Sequence, residues 1–301
     1  MNENYLISVE QFNRQSLEDL FNLAKDIKQN PSKYHDALSG KVIATLFYEP
    51  STRTRLSFES AIARLGASNI STENAREFSS ASKGETLEDT IRIIAGYSDA
   101  IVMRHYEDDS SEKAVKVSNV PIINAGAGKK EHPTQAILDV FTICEKFGTA
   151  DNISILLGGD LKYGRTSHSL IKMLSLYKNV KLYGLSKPAF ALPQEYIDFI
   201  HQNGMTYQAF TSFDEVPKDV NVIYHTRIQA ERFEGDFGRE EFIITQKVLD
   251  TFSKDTILLH PLPRCEEILP EVDNDPRAMY FVQAHNGIPT RMALLLKLLG
   301  E

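Results

Sequence analysis

Cysteine is scarce in this chain. Only Cys144 and Cys265 occur in 301 residues, far apart and at no metal or redox spacing, so no thiol motif is expected to carry chemistry. Cys144 falls on an apolar helix face and reads as a small buried hydrophobe. A basic excess is missing too. Against 33 Lys and Arg stand 41 Asp and Glu, a formal net charge of -8, which argues against a nucleic-acid partner because a phosphate backbone demands a dominant basic surface. Long hydrophobic runs are absent: MALLLKLL is broken by Lys297, and no membrane association is expected. The opening residues, MNENYLISVEQF, show neither a basic start nor an apolar run, and a cytoplasmic location is expected. There is no internal repeat and no low-complexity segment.

What the chain does have is length and rhythm. Its 301 residues are about twice a typical single domain, which favours two domains with two cores. Residues 42–48 (VIATLFY) read as a buried strand, and Phe58, Ala61, Ile62 and Leu65 then recur at the spacing of one helix face. Thr86 with Asp89 resembles a capping box. Residues 100–103 and 120–123 are expected strands, followed by a helix over 132–147. The pattern restarts at NISILLGG (152–159) and continues through a helix, VKLYGL, a helix near 193–203, MTYQAF, VNVIYH, a helix near 239–252 and TILLH. Such alternation predicts an α/β fold of two doubly wound parallel-sheet domains joined by long helices, with ligand chemistry at the strand carboxyl ends and in the interdomain cleft. The expected domains are 1–131 with 287–301, and 132–286. Residues 73–85 (ENAREFSSASKGE) are a polar loop of the functional or mobile kind.

Several short stretches carry chemistry. EPSTRTRLSFE, residues 49–59, leaves a strand and enters a helix, so the free N–H groups of the first turn face whatever lies ahead and suit an anion. Ser51, Thr52 and Thr54 add hydroxyls, and Arg53 adds a planar fork that matches phosphate. Helix capping would explain one hydroxyl but not all. In His132-Pro133-Thr134-Gln135, proline at the first helical position makes His132 the N-cap, where the helix field disfavours imidazolium. Gln135 either caps the helix or reaches a ligand, and the residues alone leave both open. GGDLKYGRT (158–166) mimics a P-loop, but Arg165 replaces the required Lys and no later strand ends in an Asp for magnesium. The glycines then serve a tight turn, with Arg165 either an anion ligand or a structural partner of Asp160. Arg227 and Gln229 follow a strand two apart and face one side. HPLPR (260–264) rigidly turns the backbone, freeing the Leu262 carbonyl for a ligand amide. Lys83, within the polar loop, read alone is a solvated lysine.

Taken together, FYEPSTRTRLSFE, SKGET, VMRH, HPTQ, GGDLKYGRT, TRIQAER and HPLPR resemble the aspartate and ornithine carbamoyltransferases in order and spacing across nearly the whole chain, and the aspartate-specific branch most closely. The resemblance implies transfer of the carbamoyl group of carbamoyl phosphate to the α-amino group of L-aspartate, a step of pyrimidine synthesis, with no cofactor and no metal. Ser51, Thr52, Arg53, Thr54 and Arg104 would hold the phosphate. Thr54, Arg104 and His132 would bind the carbamoyl oxygen, while Gln135 and the Pro261 and Leu262 carbonyls, in the turn closed by Pro263, would bind its amino group. Arg165, Arg227 and Gln229 would hold the aspartate carboxylates. Ser79 and Lys83 would enter a neighbour's site in a homotrimer with shared active sites, and Leu262-Pro263 would be a cis peptide. The motifs are silent on a separate regulatory chain. Ornithine specificity is the nearest alternative, but that branch typically carries HCLP where this chain has HPLP, and cationic ornithine would meet arginines. A noncatalytic anion sensor on the same fold predicts losses among these ligands, and none is found.

Overall fold

The computed structural model describes residues 4–78, 80–128, 130–228 and 242–300. The chain divides into two compact units, residues 1–138 with 286–301, and residues 139–285. In the first unit, β1 (Tyr5–Leu6) and α1 (Arg14–Gln29) precede β2 (Val42–Phe47), α2 (Thr52–Arg64) and β3 (Ser68–Glu73). Then come α3 (Ala75–Phe78), a 3₁₀ turn over Ser80–Lys83, α4 (Leu87–Ala95), β4 (Ala100–His105), α5 (Ser110–Val117) and β5 (Ile122–Ala127). Helix α6 (Pro133–Phe147) leads to the second unit, with β6 (Ser154–Gly158), α7 (Arg165–Leu174), β7 (Lys181–Leu185), α8 (Gln194–Gln202) and β8 (Thr206–Phe210). Strand β9 (Val222–His225), α9 (Gln246–Leu249), β10 (Ile257–Leu259) and α10 (Tyr280–Leu299) complete the chain. The unit boundaries fall inside α6 and α10, which join the two units.

Each unit is built on one five-stranded sheet, in the orders β1-β5-β4-β2-β3 and β10-β9-β6-β7-β8, and every pairing within them is parallel. In the first sheet the chain runs outward from β2 to β3, then returns to β4 on the other side of β2. In the second it runs from β6 through β7 to β8 and returns to β9 beside β6. The order therefore reverses at β2/β4 and at β6/β9, and an open parallel sheet binds ligands beyond the strand carboxyl ends at such a reversal. The buried faces explain why these segments are strands. Ala44, Leu46, Ile101 and Met103 join Ile91 and Ala114 in the first core, and Leu156, Ile223 and Leu258 join Leu249 and Tyr280 in the second. Among the described residues no helix is long and apolar enough to cross a membrane.

Some elements differ from the sequence expectation. The strand expected at 120–123 runs over Ile122–Ala127, because Pro121 has no N–H to give the ladder. Strands β1 and β3 were not expected; β3 is an edge strand, SNISTE, mostly exposed, and lacks the alternation that marks a half-buried strand. Part of the polar stretch 73–85 is helical, as α3 and the 3₁₀ turn. Within the helix expected near 239–252 only Gln246–Leu249 is helical among the described residues, capped by the Thr245 side chain. The last helix starts at Tyr280 rather than 287.

Candidate active site

At the β2/β4 reversal the chain passes from Phe47 through Tyr48, whose N–H donates to the Arg104 carbonyl at 2.8 Å, and then into α2. Ser51 occupies the N-cap in extended conformation (φ -157°, ψ 91°), yet its side chain makes no capping hydrogen bond. A helix start ordinarily uses such a hydroxyl to satisfy one of its free N–H groups; here the hydroxyl and the first-turn donors stay available together. Thr54 is buried, while Thr52 and Arg53 are exposed. The two arginines of this run part company. Arg55 is drawn to Glu59 (3.2 Å) and Glu73 (2.8 Å) and ties α2 to β3, whereas Arg53 pairs with no carboxylate among the described residues. Arg104, on the neighbouring strand, is mostly buried with Glu49 3.5 Å away. Glu49, overlooked in the motif reading, thus sits where it can orient Arg104.

The same unit carries His132 and Gln135 at the start of α6. The His132 carbonyl accepts the N–H of Gln135 (3.0 Å) and of Ala136 (3.2 Å), which makes it the helix cap as expected, and both side chains are buried. The preceding residue is anchored by a Glu131 carboxylate that accepts the Val9 N–H at 3.1 Å. Lys83 ends the 3₁₀ turn and is exposed. Ser79 lies outside the described residues.

In the second unit the β6/β9 reversal is held unusually tight. Gly159 has φ +97°, and a Cβ there would overlap the Thr226 carbonyl oxygen, so both the dihedral and the close approach require glycine. The Thr226 N–H and hydroxyl both donate to the Gly158 carbonyl, at 2.9 Å and 3.1 Å. Asp160, fully buried, accepts the Tyr163 N–H at 2.9 Å and folds the turn that delivers Arg165 to the first position of α7. Arg227, one residue past Thr226, is half-buried. Arg165 and Arg227 thus leave from the two sides of one reversal. Gln229 lies outside the described residues.

The HPLP turn follows β10. Leu262-Pro263 is cis, as the motif implied, and Leu262 has φ +56°. The Leu262 N–H donates to His260 Nδ1 (2.8 Å), and His260 Nε2 lies 2.9 Å from Glu267 Oε1. The His260 N–H donates to Gln283 Oε1 (2.8 Å), Gln283 Nε2 to Asp139 (2.6 Å), and the Tyr224 hydroxyl to the same carboxylate (2.8 Å). Burial, with the Asp139 charge beside it, raises the Tyr224 phenol well above its ordinary range, so it remains a donor. His225 is fully buried, and burial pushes its pKa down, keeping the ring neutral. None of Asp139, Tyr224, His225, Glu267 or Gln283 was found from sequence. Asp139, an acid inside the apolar run AILDVF, is the one that could have been.

Comparisons with known proteins give the family. Residues 4–145 match "Aspartate/ornithine carbamoyltransferase, carbamoyl-P binding domain", and residues 151–298 match "Aspartate/ornithine carbamoyltransferase, Asp/Orn binding domain". The chloroplastic aspartate carbamoyltransferase of Arabidopsis thaliana is 48% identical over 98% of this chain and 77% of its own length. The catalytic subunit of M. jannaschii aspartate transcarbamoylase superposes with a TM-score of 0.93 at 42% identity, covering 99% of this chain and 100% of that one. Trypanosoma cruzi aspartate transcarbamoylase, solved with carbamoyl aspartate and phosphate, gives 0.90 at 39% identity over 97% and 94%. On these matches the chain belongs to the aspartate/ornithine carbamoyltransferase family.

Proposed function

We infer that this chain transfers the carbamoyl group of carbamoyl phosphate to the α-amino group of L-aspartate, giving N-carbamoyl-L-aspartate and phosphate. The observation that carries the site assignment is the contrast within STRTR: Arg55 is neutralised by two glutamates, while Arg53 pairs with no carboxylate among the described residues and lies beside an uncommitted cap hydroxyl and the first-turn N–H groups of α2. In this reading Ser51, Thr52, Arg53 and Thr54 take the phosphate, together with Arg104. Thr54, Arg104 and His132 donate to the carbamoyl oxygen, and Gln135 and the Pro261 and Leu262 carbonyls accept from its amino group. Arg165, Arg227 and Gln229 take the aspartate carboxylates.

The chemistry asks for no covalent intermediate. The free amine attacks the carbamoyl carbon, the carbonyl oxygen becomes an oxyanion, and the C–O bond to phosphate breaks as the oxyanion collapses. Fixed donors stabilise that oxygen, and His132, at the positive end of α6, donates as a neutral ring. The departing phosphate accepts the proton released by the amine. Rate enhancement comes from holding two reactants in line.

The same reading makes the protein a homotrimer in which Lys83 enters a neighbour's site. Its support is the exposure of Lys83 and of the large apolar side chains Ile93 and Tyr97 around the next helix, a combination that marks a surface for a partner. The free thiols Cys144 and Cys265 suit a reducing compartment, and the cytoplasm is the proposed one.

The test is product formation from carbamoyl phosphate with L-aspartate or L-ornithine as acceptor. Aspartate is the expected acceptor; turnover of ornithine alone would overturn the assignment. Arg53→Ala should raise KM for carbamoyl phosphate or lower kcat, and Arg227→Ala should raise KM for aspartate, each by roughly 10- to 100-fold for a lost charge-assisted contact. Normal kinetics for both substrates in both variants would refute the two anion sites.

A further inference from the structure

The HPLP turn poses a problem of support. Leu262 is a branched residue at φ +56°, a conformation that is strained for an L side chain and persists only where its surroundings hold it. The bond that holds it runs from the Leu262 N–H to His260 Nδ1, at 2.8 Å. An N–H can donate only to an unprotonated ring nitrogen, so Nδ1 must keep its lone pair and the proton of the neutral ring must sit on Nε2. Nε2 faces Glu267 Oε1 at 2.9 Å, with the His260 side chain 1% exposed.

We propose that Glu267 is a positioning residue for carbamoyl transfer: by keeping the His260 proton on Nε2 it preserves Nδ1 as the acceptor that fixes Leu262 and presents the Pro261 and Leu262 carbonyls to the carbamoyl amino group. This rests on the reading of those carbonyls as substrate acceptors given above. The surroundings direct the Glu267 charge toward His260. The nearby Arg264 guanidinium is already held by Asp273 through both nitrogens and by Tyr280. His225 is fully buried, and burial keeps its ring neutral. Burial pulls the Glu267 carboxyl up, but hydrogen bonds from His260 and from the backbone outweigh it and leave the group below its usual range, so it is a carboxylate at neutral pH. The backbone of His260 is fixed independently through Gln283 and Asp139, which leaves ring tautomer as the variable that Glu267 controls.

Glu267 also accepts the Cys265 N–H, at 3.2 Å and 3.1 Å to its two oxygens, so a direct staple on the loop has to be separated from action through His260. A double-mutant cycle in the full assembled enzyme does so, because His260→Asn places an amide oxygen near Nδ1 and can accept the Leu262 N–H with no tautomer to control. Glu267→Ala is expected to raise KM for carbamoyl phosphate about five- to tenfold. The Ki of inorganic phosphate, which lacks the amino group, should stay within about twofold. Glu267→Gln, which still accepts from Nε2–H, should restore most of the loss. In the His260→Asn background Glu267→Ala should add less than about twofold. An equal effect in both backgrounds, or Gln behaving as Ala, overturns the proposal. If His260→Ala leaves KM for carbamoyl phosphate unchanged, the carbonyl reading itself fails, whatever the cycle gives. Should Glu267→Ala not fold, ring ¹⁵N shifts of His260 in the unaltered enzyme decide: protonation on Nε2 supports the proposal, and protonation on Nδ1 ends it.

Discussion

Gly159→Ala, set beside Gly148→Ala, tests the tightness of the β6/β9 reversal. Both glycines have positive φ, +97° and +82°, so both substitutions meet the left-handed penalty of about 1 to 2 kcal/mol, offset by roughly 0.4 to 1 from the stiffer unfolded chain. Gly148 closes α6, donating to the Cys144 carbonyl at 2.9 Å, and a Cβ there meets nothing within 4 Å. Its variant should lose about 0.5 to 1 kcal/mol. At Gly159 the new Cβ overlaps the Thr226 carbonyl and lies 2.9 Å from Thr226 Oγ1, so backbone has to move, and overpacking of this kind adds about 1 to 3 kcal/mol. The expected total of about 2 to 4 kcal/mol corresponds to a fall in Tm of roughly 4 to 16 °C. Because the displaced residue directly precedes Arg227, KM for aspartate should rise about tenfold while KM for carbamoyl phosphate changes little. Calorimetry and steady-state kinetics on both variants are the assays. If Gly159→Ala matches Gly148→Ala in Tm and in KM for aspartate, the close approach does not position Arg227 and the reasoning fails.

His168 supplies a pH prediction. Its ring stacks on Tyr196 at 3.9 Å and bonds the Leu161 carbonyl at 2.8 Å, and burial lowers its pKa to about 4. Between the unfolded value of about 6.5 and that value the unfolded chain binds a proton the folded one does not, so stability falls as pH drops, by about 2 kcal/mol from pH 7 to 5. Urea unfolding at the two pH values should show His168→Gln losing less than the unaltered chain by that amount; equal losses refute a neutral buried ring. The proposed sharing of sites makes the remaining prediction. Lys83→Gln and His132→Ala trimers should each be nearly inactive, and mixing them after dissociation should restore activity, since any mixed ring holds an interface with both residues intact. Activity staying at parental levels in hybrids verified by native mass would reject sharing.

Strands and helices with strong apolar patterns are legible in the sequence. VIATLF, SILLG and VIYH read as buried parallel strands because both faces are covered and the residues run apolar without alternation. Edge strand β3 escaped, since SNISTE has no buried face to impose a period. The start of α10 at Tyr280 escaped for a different reason: AHNGIP carries turn signals that tertiary packing overrides. Within the candidate site, the motif residues were visible as departures from pattern, hydroxyls and arginines placed at strand ends. Their supports were not. Glu267 looks like one more acid in CEEI, and only the folded loop brings it to His260.

The charge of the whole chain and the charge of its substrates then cease to conflict. Both proposed substrates are anions, and the chain has a formal net charge of -8. Net charge governs solubility and the long-range field, which salt screens beyond about 8 to 10 Å, whereas binding an anion depends on donors within contact distance. The acids of this chain are spent on arginines that build the fold: Glu59 and Glu73 on Arg55, Asp273 on Arg264, Asp250 and Asp275 on Arg277. These five pairs remove three arginines, Arg55, Arg264 and Arg277, from competition for substrate. Arg53 has no such pair among the described residues, and it stands at the one helix start of the first unit that follows β2 directly into the sheet reversal. In the proposed site an anion would meet a helix N-terminus and a guanidinium with no carboxylate to displace among the described residues, so the excess of acid elsewhere would sharpen that site rather than oppose it.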